Sequence, residues 1–232
     1  MLGPMRTAPD EPPSDIGTRD GLAYALFLPE RPPPGGVVVL HGAGSQKENH
    51  YDFARECRAA GLAAVCFDQR GHGDSEGALD GRAVEDVATM AALLPDGVPV
   101  ALRGSSMGGW LALAAGAALD AAAVVAICPA SSGQLARGLR DRRFAFRADE
   151  ATLGALLEAT DLPAAAVSLG DRLLLMHAEG DEDVPVEQSR ALHATAPDSR
   201  LEVVPGGDHR SVQHDAEMQA LSVRFIATRC AA

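Results

Sequence analysis

Apolar runs alternate with helix-length segments along most of the chain, and this alternation sets the expected elements. A strand is predicted over 22–28, followed by the turn cluster Pro32-Pro33-Pro34-Gly35-Gly36. Val37-Val38-Val39-Leu40 reads as a β-branched, buried strand, and it ends at His41-Gly42-Ala43-Gly44. The pattern then predicts a helix over 51–60 stopped by Gly61, a strand over 62–67, and a helix over 82–94 closed by Pro95. A strand over 98–102, an apolar helix over 107–119 and a strand over 122–128, closed by Pro129, come next. The periodicity weakens between about 130 and 170. It returns as a strand over 173–176, a helix over 186–196, a strand over 201–204 and a last helix over 216–227.

Strand–helix alternation of this kind implies an α/β fold with a mostly parallel, doubly wound sheet covered on both faces. Its crossovers are expected to be right-handed. Residues 1–15, rich in proline and acid, are expected to form a flexible tail. Residues 16–232 are expected to form one domain, with the weakly patterned 130–170 stretch as a short cap-like insertion.

Composition narrows the function classes. Apolar residues make up 47% of the chain, which excludes wholesale disorder. Twenty basic against 32 acidic residues leave a net charge of −12, so no nucleic-acid partner is expected. No stretch approaches the roughly 20 apolar residues of a membrane span, and no membrane partner is expected either. Cys57, Cys66, Cys128 and Cys230 form no C-x-x-C pair, which argues against metal knuckles and dithiol redox chemistry. Residues 1–14 contain no apolar core of a secretory signal, so a cytoplasmic location is the expectation.

The segment richest in chemistry is Gly104-Ser105-Ser106-Met107-Gly108, a G-x-S-x-G pattern lying between a predicted strand and a predicted helix. A sharp turn there holds the central serine in a strained conformation at the carboxyl edge of the sheet. A serine hydroxyl needs a general base, and the base needs an orienting acid. Of the seven histidines, His209 is the candidate base, because Gly206-Gly207-Asp208-His209 follows the last predicted strand and emerges at the same edge. His193 and His214 fall in or near helices and read as solvated. His50 and His72 lie in loops at this edge outside any base-bearing pattern, and His41 and His177 read as packing residues behind strands. The acid is expected from Glu179-Gly180-Asp181-Glu182-Asp183, where Asp181 and Asp183 both qualify chemically. The backbone N–H groups of Met107 and Ala43 are the candidate oxyanion donors.

In the order in which they occur, these pieces resemble the α/β-hydrolases. The resemblance rests on Leu40-His41-Gly42-Ala43-Gly44, Asp68-Gln69-Arg70-Gly71-His72-Gly73-Asp74-Ser75, the Gly104–Gly109 elbow, His177 to Pro185, and Gly207-Asp208-His209. In similar hydrolases the acid stands three residues before the Val of a Val-Pro pair, which here selects Asp181 ahead of Val184-Pro185. Ala178 replaces the glycine usual after the position of His177. Serine rather than aspartate or cysteine at the elbow implies esters, thioesters or amides as substrates. The expectation is thus a small serine hydrolase with Ser106, His209 and Asp181 as its triad. It would need no cofactor or metal, and it would take a small acyl ester or thioester as its substrate.

Two further features remain open at this level. Gly71-His72-Gly73-Asp74-Ser75-Glu76-Gly77 has the wrong spacing for a dinucleotide loop, and the lone Lys47 stands in no phosphate-binding loop. Arg137, Arg140, Arg142, Arg143 and Arg147 form either a solvated helix face or a basic rim that attracts an anionic substrate. Phe144 and Phe146, within the same stretch, either line an acyl pocket or anchor the segment to the body.

Overall fold

The computed structural model describes residues 10–231. Its eight strands form one sheet in the order β1-β2-β4-β3-β5-β6-β7-β8. They are β1 (Asp15–Arg19), β2 (Leu22–Phe27), β3 (Gly36–Leu40), β4 (Ala63–Phe67), β5 (Val100–Ser105), β6 (Ala123–Ile127), β7 (Leu173–Ala178) and β8 (Arg200–Val204). The β1–β2 and β2–β4 pairs are antiparallel and every later pair is parallel.

The central strands explain themselves chemically. All five residues of β3, β4 and β6 are buried, as strands covered by helices on both faces must be. The helices are α1 (Tyr51–Ala59), α2 (Ala83–Ala91), α3 (Met107–Ala118), α4 (Ser132–Arg140), α5 (Glu150–Ala159), α6 (Leu162–Leu169), α7 (Glu187–Thr195), α8 (Ser211–His214) and α9 (Ala216–Cys230). One apolar layer gathers α2, α3 and the helices of the 130–170 stretch. The other gathers α1 and α9. Helix α3 is apolar almost all round, which suits a helix enclosed by sheet on one side and helices on the other.

The structure differs from the sequence pattern at two places. The weakly patterned 130–170 stretch contains three regular helices. Each has a side-chain N-cap: Ser131 in a reciprocal capping box with Gln134, then Asp149 and Asp161. Alanine hides the period of α5 and α6, whereas α4 is amphipathic over only nine residues. A strand, β1, begins at Asp15. It is an edge strand exposed at most positions, so it carries no apolar alternation to detect. The expected tail over 1–15 lies largely outside the described residues. Of the part described, Glu11 and Pro12 accept hydrogen bonds from Arg55 and Arg58 of α1 through their carbonyls.

Two strands with opposite neighbours make the ligand crevice. β3 pairs with β4 on one side and β5 on the other, and the register sets Leu40 beside Gly104. The loop after β3 and the turn after β5 therefore leave the sheet side by side at its carboxyl edge, where open α/β sheets hold ligands.

Candidate active site

Ser106 occupies the turn between β5 and α3 with φ 57° and ψ −118°, a conformation costly for any residue with a side chain. The surroundings hold it there. Its N–H donates to the Ile127 carbonyl (2.9 Å), and its carbonyl accepts from Trp110 N–H (3.0 Å) and Ala130 N–H (3.1 Å). Glycine is obligatory on both sides. A Cβ on Gly104 would run into the Gly108 carbonyl, and one on Gly108 into the Leu40 carbonyl. The helix start thus lies against the end of β3.

The loop after β3 is held just as tightly. Nε2 of His41 accepts from the Gln69 N–H at 2.9 Å, which leaves Nδ1 to donate to the Gly42 carbonyl at 2.8 Å. The Gln69 amide also donates to the His41 carbonyl at 2.6 Å. Burial lowers the His41 pKa to about 4, and neighbouring His72 works in the same direction, so the ring stays neutral and keeps this tautomer. Lys47, further along, is buried in contact with Asp68, Asp74 and Glu48, each at 2.8 Å. Burial opposes its charge, but the three carboxylates outweigh burial and raise its pKa. Lys47 and Asp68 thereby tie the loop after β3 to the loop after β4.

Asp181 follows β7 and is buried, whereas Asp183 is exposed. Oδ1 of Asp181 accepts from the N–H groups of Asp183 and Val184, both at 2.9 Å. Its Oδ2 lies 2.7 Å from Nδ1 of His209. Burial works to raise the carboxyl pKa, but the Val184 N–H and His209 outweigh it and hold the group below its ordinary value. His177 supports this turn from below, with Nε2 donating to the Val184 carbonyl (2.8 Å) and Nδ1 accepting from the Ser189 hydroxyl (2.7 Å). Gly206 and Gly207, at φ 67° and 73°, turn the chain from β8 toward His209.

Ser106 and His209 line the same open cavity, of about 460 Å³, together with Gly42, Ala43, Gly44 and Ser45. Ala43 thus faces the space above Ser106. Met107 is the first residue of α3, where a helix leaves its N–H without an intrahelical acceptor. Asn49, Arg210, Gln213 and His214 complete the wall. These four carry no motif, because residues on two separate loops meet only in the folded chain. His214, expected to be solvated, is exposed at the edge of this wall, with Nδ1 2.8 Å from Asp52. His50, expected in a loop at this edge, is buried at the end of a short 3-10 helix, Lys47–His50.

A second, apolar pocket closes over Met107 and Trp110. It is covered by Leu135 and Leu139 of α4, by Phe144 and Phe146, and by Leu153 and Leu157 of α5, with only about 10 Å³ free. Phe146 stacks on His72 (4.2 Å) and on Phe144 (5.2 Å). Among the described residues, Cys128, Asp181 and His209 are the one grouping compact enough to hold a metal ion. At 2.7 Å the Asp181 and His209 atoms share a proton rather than an ion, and burial keeps the Cys128 thiol protonated.

The mostly parallel eight-stranded sheet with helices on both faces is that of an α/β-hydrolase. The chain belongs to the Hydrolase_4 family (serine aminopeptidase, S33), whose model matches residues 31–148, just over half of its length. It is 28% identical to the monoacylglycerol lipase of Mycolicibacterium smegmatis over 239 residues, covering 81% of this chain and 85% of that protein. Among solved structures, the monoacylglycerol lipase of Paleococcus ferrophilus superposes with a TM-score of 0.72 at 21% identity, covering 90% of this chain and 99% of that one. Est1E of Butyrivibrio proteoclasticus, with ferulic acid bound, superposes with a TM-score of 0.68 at 19% identity, covering 93% of this chain and 97% of that one. At these identities the two structures speak to the fold. No helix among the described residues is long and apolar enough to cross a membrane.

Proposed function

We propose that the protein is a serine hydrolase that cleaves carboxylic ester or related acyl bonds through an acyl-enzyme. The observation that carries this reading is the 2.7 Å pairing of Asp181 with Nδ1 of His209, on the wall of the cavity that Ser106 also lines. Pairing at Nδ1 leaves Nε2 of His209 as the free base. Ser106 Oγ attacks the substrate carbonyl carbon while Nε2 takes its proton, and Asp181 stabilises the imidazolium. The carbonyl oxygen becomes an oxyanion, held by the N–H groups of Met107 and Ala43 and by the N-terminal end of α3. The C–O bond to the alcohol breaks as His209 protonates the leaving oxygen. Water, deprotonated by His209, then attacks the acyl-enzyme and frees Ser106.

The similarity to the monoacylglycerol lipase of Mycolicibacterium smegmatis supports an ester as the substrate class. The aminopeptidase description of the family leaves an amide as the competing bond. A fluorophosphonate probe with peptide mass mapping tests the mechanism, and modification confined to Ser106 is the expected result. Turnover of a neutral aryl ester, an acyl thioester and an aminoacyl anilide tests the bond, with the ester expected to react fastest. A folded protein that neither reacts with the probe nor turns over any of the three overturns the reading in favour of a ligand-binding role for the same cavity.

A further inference from the structure

Strand β5 carries a charge where an apolar residue would be expected. Its alternation sends Leu102 into the layer of α2 and α3, and Arg103 into the opposite layer with α1 and α9. Arg103 is 1% exposed, the one buried arginine among the described residues. Its guanidinium lies 3.9 Å from the centre of the Phe53 ring of α1, and Nε has no hydrogen-bond partner among the described residues. A buried cation that is only partly hydrogen-bonded weakens a fold, and an apolar side chain of similar length would fill the space without that penalty. Burial lowers its pKa to about 10, which leaves it charged at neutral pH.

The contact that Arg103 does make points to a role. Nη2 donates to the carbonyl of Gln213 at 2.8 Å. Gln213 lies in α8, the single helical turn that follows His209. The same carbonyl accepts from the Gln219 side chain of α9 at 3.2 Å. Gln219 also donates to Oδ2 of Asp52 in α1 at 2.6 Å, and His214 of α8 reaches that oxygen at 2.8 Å. Three elements therefore hold α8: β5 through Arg103, α9 through Gln219 and α1 through Asp52. On its other side, His209 is joined to β8 by two glycines with positive φ, a conformation that gives little stiffness of its own. The Gly206 carbonyl accepts from the Gly180 N–H at 3.0 Å, and Asp208 and Ser211 bond each other across His209, so the imidazole is placed by that turn, by Asp181 and by α8, which Arg103 anchors.

Resting on the serine-hydrolase reading above, we propose that Arg103 is a positioning residue for His209. Through the Gln213 carbonyl it fixes the segment bearing the base to the same strand whose end bears Ser106, so that one rigid element sets both partners of the proton transfer. A base displaced by about 1 Å can cost 100-fold in rate without loss of binding.

The test compares the parent with Arg103→Met, Arg103→Lys and Gln219→Met. Each is measured for kcat and KM on a neutral aryl ester, for the rate of fluorophosphonate modification at Ser106, and for the deshielded Nδ1 proton resonance of His209. Arg103→Met is expected to lower kcat and the modification rate by about 10- to 100-fold with KM within about twofold, and to broaden or shift the resonance. Arg103→Lys, which keeps a donor toward Gln213, is expected to recover part of the rate. Gln219→Met is expected to act in the same direction by a few-fold. If Arg103→Met does not fold, Arg103→Lys and Gln219→Met decide between them. Folded variants with parental kcat, modification rate and His209 resonance overturn the positioning role and leave the hydrolase reading standing. A parent protein inert to probe and ester overturns the hydrolase reading, and the resonance alone then reports whether Arg103 orders His209.

Discussion

Asp181 receives the Nδ1 proton of His209 at 2.7 Å while its other oxygen takes two backbone N–H groups of its own turn. Oδ1 is thus committed to its own turn before the histidine is considered, which holds Oδ2 toward the imidazole. Asp181→Asn keeps the shape but presents an amide that can leave the imidazole in the wrong tautomer. The expected outcome is a fall in kcat of about 10³- to 10⁴-fold with the fold retained. Steady-state kinetics alongside a thermal melt check this, and a fall below about tenfold would contradict the assigned role of Asp181.

Ser106→Gly separates activity from stability. Serine at φ 57°, ψ −118° stores strain that glycine does not, so this variant is expected to lose turnover and probe labelling. It is also expected to melt at a higher temperature than the parent, by an amount corresponding to about 1 kcal/mol. A lower melting temperature would mean that the turn is not strained.

Gly108→Ala is expected to do the reverse. The added methyl would enter the space of the Leu40 and His41 carbonyls, which cannot retreat because β3 is buried and paired on both sides. A destabilisation of about 3 kcal/mol or more, or failure to accumulate as folded protein, is expected. Denaturant unfolding measures it.

Acid sensitivity follows from two buried histidines. Burial lowers the pKa of His41 to about 4 and that of His50 to about 3, from an ordinary value of 6.5. Between those values and 6.5 the unfolded chain binds protons that the folded chain refuses. Stability is therefore complete above about pH 6.5 and falls as pH drops, by about 3 kcal/mol for His41 as pH approaches 4 and by somewhat more for His50, whose decline continues toward pH 3. Neither ring nitrogen of His50 has a hydrogen-bond partner among the described residues, so His50→Phe is expected to flatten this decline. Urea titrations at about pH 7.5 and about pH 5 provide the comparison.

The closed apolar pocket sets an expectation for acyl length. With only about 10 Å³ free beneath Phe144 and Phe146, short acyl chains are expected to react faster than long ones. Phe144→Ala is expected to raise kcat/KM for medium chains by about tenfold while changing the shortest ester little. A series of aryl esters of increasing chain length measures this, and a parental preference for long chains would show that the helices over the pocket move aside.

The sequence by itself determined the strands from β2 to β8 and the helices α1, α2, α3, α7 and α9, because strands buried on both faces must be continuous apolar runs and cannot conceal themselves among helices. The elbow was legible for a related reason. Gly104 is demanded by the backbone of Gly108 and Gly109, so the local chemistry carries its signature, whereas Gly108 answers to the end of β3. The edge strand β1 and the helices over 130–170 were not legible: β1 is too exposed to need an apolar face, α5 and α6 are too rich in alanine to show a period, and α4 is amphipathic over only nine residues.

Tertiary structure alone decided which distant groups meet. It buries Asp181 against His209 and leaves Asp183 in solvent, although the two carboxylates are chemically alike. It also brings Arg103 to the carbonyl of Gln213 across 110 positions of chain. Local pattern reports only whether a residue faces the core or the solvent. The partner it finds there depends on how strands are ordered in the sheet, and that order is a property of the whole folded chain.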